Sequence, residues 1–119
     1  MTMIEARELP IPEPGGILEW VSAHLGDLSV GEVRRGALTG GQSAADAALA
    51  SFDVAGYAQR RNEVWPADRQ GASRLSAYIR HGLLSLPHVW GYVESGPARD
   101  VESFRSELLW QEYARHLYA

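Results

Sequence analysis

Cysteine is absent from the 119 residues, which excludes both a disulfide framework and a thiolate metal site. Lysine is absent too, so all 11 basic residues are arginine. No apolar run approaches the roughly 20 residues needed to span a bilayer. The first residues include Glu5, Glu8 and Glu13 and lack the basic-then-apolar order of a signal peptide. Histidines occur at positions 24, 81, 88 and 116, without the pairing a metal site needs. No G-x-S-x-G, Walker or G-x-G-x-x-G sequence occurs, so a nucleophile elbow and a phosphate loop have no support. Strand-like alternation never persists for more than a few residues. These absences leave a soluble, cytoplasmic, all-α protein without a metal.

What is present suits one domain with its own core, at 45% hydrophobic and 22% charged residues. The net charge of -4 argues against binding nucleic acid by bulk positive charge. Arginine is nevertheless concentrated at Arg60, Arg61, Arg69, Arg74 and Arg80, opposed there only by Glu63 and Asp68. Guanidinium groups favour bidentate contact with phosphate, although a solvated helical surface accounts for such a cluster equally well.

Residues 1–40 read as a leader containing a short helix and a loop. Pro10, Pro12, Pro14 and Gly15 make the beginning extended, a helix follows over 16–25, and 26–41 is glycine-rich loop. The alanine-rich segment 43–52 predicts a helix with Ala45, Ala48, Leu49 and Phe52 on one face. Asp53 reads as the cap of a continuation to about residue 62. After a loop over 63–71, a helix is expected from Ser73, with Leu75, Tyr78, Ile79 and Leu83 in one stripe and Gly82 as its left-handed cap. Ser85 with Pro87 starts the next helix, whose stripe is Leu86, Val89, Trp90 and Val93. Asp100 reads as the N-cap of a final helix that runs to the last residue.

Two stretches carry chemistry. At Gly71-Ala72-Ser73-Arg74-Leu75-Ser76, a glycine and two hydroxyls meet a helix start, where unpaired N–H groups can seat a phosphate. The same pattern also serves as an ordinary cap. On the final helix, Phe104, Glu107, Trp110, Gln111, Ala114, Leu117 and Tyr118 share one broad face, with Arg105, Glu112 and His116 opposite. Glu107 in the middle of that face needs a partner. An arginine or a backbone N–H would satisfy it, or it is a polar group aimed at a ligand beside the stacking surface of Trp110.

The ordered pieces GGQSAADAALASF, GYAQRRN, GASRLSAYIRHGLLS and FRSELLWQEYARHLY resemble the start of the flavin-binding domain of DNA photolyases and cryptochromes. The resemblance covers about residues 40–119. It implies an all-helical, partial FAD-binding domain over residues 41–119. In that family a light-excited reduced flavin donates an electron that splits a pyrimidine dimer flipped out of DNA. By position, Tyr57 matches a tyrosine near the flavin phosphates, and Ala72, Ser73, Arg74, Leu75 and Ser76 match the pyrophosphate cradle. Arg61 matches a residue facing DNA phosphate, Glu107 a glutamate contacting adenine or lesion, and Trp110 a tryptophan against the lesion. Gln111 stands where most members carry a flavin-contacting arginine.

Other departures are Ala72 for threonine, Ala77 for proline, His81 for phenylalanine and Phe104 for tryptophan. The loop between Tyr57 and Ser73 is also longer by a few residues. Neither the antenna-chromophore domain nor the second half of the flavin domain is represented, so the sequence reads as a fragment or truncated product with no catalytic residue of its own. The alternative is a non-enzymatic module, cryptochrome-like or self-associating through apolar surface, that has lost flavin.

Overall fold

The computed structural model describes residues 10–119; the part of the expected leader over residues 1–9 lies outside them. Helices and turns account for all regular structure among the described residues, and the fold is all-α. Two compact units divide between Leu38 and Thr39. In the first, α1 (Ile17–Leu25) follows a turn closed by the Gly16 N–H on the Glu13 carbonyl at 3.0 Å. Trp20 stacks on His24 at 4.5 Å, one helical turn away. A single 3-10 turn, Gly26–Leu28, is the only regular structure in the expected loop.

The second unit contains α2 (Gln42–Ser51), α3 (Tyr57–Arg60), α4 (Ser76–Arg80), α5 (Leu86–Tyr92) and α6 (Ala98–Tyr118). Its core joins Ala45 and Leu49 of α2 to Leu75, Tyr78 and Ile79 around α4. Val89 and Val93 add α5, and Val101, Phe104 and Leu108 add α6. Two phenols bond near the ends of α2: the hydroxyl of buried Tyr78 donates to the Thr39 carbonyl at 2.8 Å, and that of exposed Tyr92 to the Ala50 carbonyl at 3.0 Å. The Gln42 amide donates to the Leu83 carbonyl at 2.9 Å. These bonds tie α2 to α4, α5 and the connection between them.

Local capping follows the sequence at two points. Gly82 takes φ 74°, and the Leu83 N–H reaches back to the Tyr78 carbonyl at 2.9 Å, the left-handed termination expected for α4. The Ser85 hydroxyl accepts from the His88 N–H at 3.3 Å, with Pro87 in the first turn of α5.

Elsewhere the expected boundaries change. The helix over 43–52 does not continue to residue 62. Phe52 is extended, and the Asp53 carboxylate turns back onto the Ala55 N–H at 2.9 Å. Asp53 thus closes a local turn that competes with helix, and α3 restarts after it. Ser73 does not open α4, because Arg74 adopts φ 59° and breaks the helical path. The Ser73 hydroxyl accepts from the Leu75 N–H at 3.3 Å, and α4 begins three residues later, at Ser76. Nor does Asp100 cap its own helix. Pro97 holds that position, and Asp100 stands in the first turn with its carboxylate on another segment.

Candidate functional site

The closest meeting of chemistry-bearing residues lies between α3 and α6. Asp100 accepts from the Gly56 N–H at 2.8 Å through one carboxylate oxygen and from the Ala58 N–H at 2.9 Å through the other. Both bonds favour the ionised carboxylate, and they hold its pKa below the ordinary aspartate range. One turn further along α6, Phe104 meets the edge of the Tyr57 ring at 5.1 Å, and Phe52 closes the other side at 6.4 Å. Another turn on, Glu107 forms an ion pair with Arg61.

Tyr57, half-buried among these groups, has its phenol pushed above the usual range. Burial is the main cause and the Glu107 carboxylate the next, with the Arg61 guanidinium opposing them. Three of the expected site residues, Tyr57, Arg61 and Glu107, are therefore gathered from segments more than forty positions apart.

Glu107 is not at the centre of a buried face. Its side chain is 46% exposed and that of Arg61 38%, so the pair sits at the rim of the core, within reach of solvent. The physical reason is that α6 carries apolar residues on both sides and its sequence pattern favours no single direction. The face that is buried holds Val101, Phe104 and Leu108. The side expected inward exposes Trp110 at 65%, edge-on to Tyr113 at 5.8 Å. Conversely, Arg105, expected in solvent, is half-buried. It lies 4.6 Å over the Trp90 ring and donates to the Trp90 carbonyl at 2.8 Å.

The segment 71–76 is organised differently. Gly71 does allow a close backbone approach, but to the chain itself: a Cβ there would collide with the Arg60 carbonyl oxygen. Ala72 and Arg74 are exposed, Ser73 is half-buried, and Leu75 is a fully buried core residue that can offer a ligand only its backbone. Ser76 is exposed at the start of α4, whose first turn has no side-chain cap.

Gln111, on α6, lies by the other end of α4. It lines an open cleft of about 820 Å³ together with Arg80, His81, Arg115 and Tyr118. Trp110 instead lines a groove with Ser106, Leu109 and Tyr113. The ten expected residues therefore form one gathered trio, a separate five-residue segment leading into α4, and two α6 side chains directed into separate clefts.

Asp100 is the residue that sequence reasoning placed in the wrong role. A signal existed: α3 has only Ala55 and Gly56 ahead of it, so its cap had to come from elsewhere. Nothing local identified the acceptor of that cap, since Asp100 stands 42 and 44 positions from its partners.

Among the described residues, no group of three or more histidine, aspartate or glutamate side chains could hold a metal ion. None of their helices is long and apolar enough to cross a membrane. Comparison with protein-family models, with curated proteins and with solved structures finds no match in any of the three.

Proposed function

We propose that residues 41–119 are a photolyase-type, flavin-binding helical segment that contributes phosphate-cradle and lesion-facing residues to light-driven DNA repair. The observation that carries this reading is the convergence of Tyr57, Arg61 and Glu107 across α3 and α6. The ion pair itself meets the simpler expectation that an arginine satisfies Glu107; what supports the ligand reading is that Tyr57 adjoins it. Support also comes from the Ser73 and Ser76 hydroxyls ahead of and at the start of α4, groups able to donate to a diphosphate. Exposed Arg69, Arg74 and Arg80, outside the ion pairs of the described residues, suit the phosphates of DNA.

FAD, once reduced and photoexcited, would supply the electron that opens a pyrimidine dimer. The protein's own part is to hold and orient it. A cytoplasmic location accords with this role. Titration of the purified chain with FAD, followed by flavin fluorescence, is the direct test. Saturable binding that weakens when Ser73 and Ser76 are both replaced by alanine is expected. Binding undiminished by that double substitution sinks the cradle, and no binding at all sinks the flavin reading.

A specific observation favours a second reading. Leu109, Trp110, Tyr113 and Leu117 expose an apolar stripe along the last turns of α6. A module that has lost flavin and self-associates through this stripe would purify as a colourless, stable oligomer.

A further inference from the structure

We propose that Asp100 is the positioning residue of the Tyr57–Arg61–Glu107 cluster. From the first turn of α6, its carboxylate fixes the start of α3 so that Arg61, at the far end of α3, meets Glu107. What the cluster binds rests on the flavin reading above; the clamp itself rests on geometry alone.

A single turn such as α3 does not hold itself, because the first turn of a helix fixes several dihedrals for one hydrogen bond. Its own sequence supplies no side-chain cap. Asp100 fills that role from outside, with one oxygen on the Gly56 N–H and the other on the Ala58 N–H. The negative charge lies at the positive end of α3 and within the first turn of α6, where both helix dipoles favour it.

From Asp100 to Glu107 is two turns of α6, about 10 Å, and α3 from Gly56 to Arg61 rises about 8 Å. α3 is therefore pinned at both ends along the first half of α6, over matching lengths, with Phe104 against the Tyr57 ring between the pins. The second pin is a half-exposed ion pair, which is weak alone. Without Asp100, the polar bonds between α3 and α6 reduce to that pair, and only the Phe104–Tyr57 packing stands beside it.

Amide and arginine side-chain NMR spectra of the full chain test this, with FAD titrations run in parallel on the wild type, Asp100→Ala and Asp100→Asn. In Asp100→Ala the Gly56 and Ala58 amides are expected to lose about tenfold or more of their exchange protection, the loss of two charge-assisted bonds. The Arg61 side-chain resonance should move to the position it takes in Glu107→Gln. The His88 amide, capped by Ser85, should keep its protection. Asp100→Asn, which retains one acceptor, should fall between, and it serves in place of the alanine variant if that fails to fold.

For FAD, a rise in Kd of about tenfold is expected for the alanine variant, with partial rescue by asparagine. An unmoved Arg61 resonance overturns the clamp, and so does protection lost equally at His88. FAD bound equally tightly by the wild type and Asp100→Ala also overturns the positioning role. If the wild type takes up no FAD, the flavin reading fails, while the Arg61 resonance still decides the clamp.

Discussion

From Ala98 to Leu108, α6 lies against the core, with Val101, Phe104 and Leu108 buried. From Leu109 to Tyr118 the same continuous helix carries Leu109, Trp110, Tyr113, Leu117 and Tyr118 into solvent. Apolar content does not separate the two halves, since the exposed one is the richer in aromatics. Neighbours do. Asp100 and Glu107 bind α3, and Arg105 binds Trp90 of α5, so the tertiary bonds concentrate in the first half. A helix in this protein is thus anchored by its polar tethers as well as by its apolar surface, and those tethers are where the candidate site lies.

Substitutions along α6 sharpen the contrast. Phe104→Ala should have the largest effect, a loss of about 3–5 kcal/mol in denaturant unfolding, because it empties the aromatic contact among Phe52, Tyr57 and Phe104. Tyr113→Ala, equally aromatic, should stay within about 0.5 kcal/mol of the wild type. A comparable loss at Tyr113 would break the comparison.

Asp100→Asn should come next, with a pH signature. The native carboxyl titrates below its unfolded value, so its contribution is fully present above about pH 4 and is lost as pH falls through the native pKa. Melting curves of the wild type and Asp100→Asn should therefore be well separated near neutrality and converge in acid. A gap that persists unchanged at low pH contradicts the assigned sign.

Glu107→Gln should cost only about 0–1 kcal/mol, since the Arg61 pair is half-exposed, while still moving the Arg61 resonance. Smallest in stability is the pair Leu109→Ser with Leu117→Ser, expected within about 0.5 kcal/mol of the parent. In sedimentation experiments, however, that pair should dissolve any oligomer the parent forms. An oligomer that survives it does not use this stripe.

The fold class and the cores of α2, α4 and α5 were legible because their patterns point one way. Ala45 and Leu49, Tyr78 and Ile79, and Val89 and Val93 are each backed by polar or small neighbours on the opposite face. Ser85 was legible as a cap because Pro87 follows it and the path ahead is helical. Ser73 offers the same hydroxyl but meets a left-handed Arg74, a backbone choice that arginine does not advertise.

The face of α6 was not legible, since both of its sides are apolar and only α3 and α5 decide between them. Of the candidate site, the sequence supplied Tyr57, Arg61 and Glu107 through resemblance. It withheld Asp100, whose hydrogen bonds join residues far apart in the chain. It also did not reveal that Trp110 and Gln111 line separate clefts.

The contact between Gly71 and the Arg60 carbonyl has a further consequence, for how this chain tolerates change. Arg60 also accepts from the Glu63 N–H at 2.8 Å, and Gly71 donates to Glu63 at 2.9 Å, so the strands of chain entering and leaving this loop are bolted together at its base. The stretch between, with exposed Val64 and Trp65, is expected to tolerate changes of length with little effect on α3 or α4. Each doubling of a flexible loop costs only about 0.6 kcal/mol. Residues 64–70 are therefore a natural port for added sequence, where a reporter or an entire guest domain could be grafted while the rest of the helical unit keeps its arrangement.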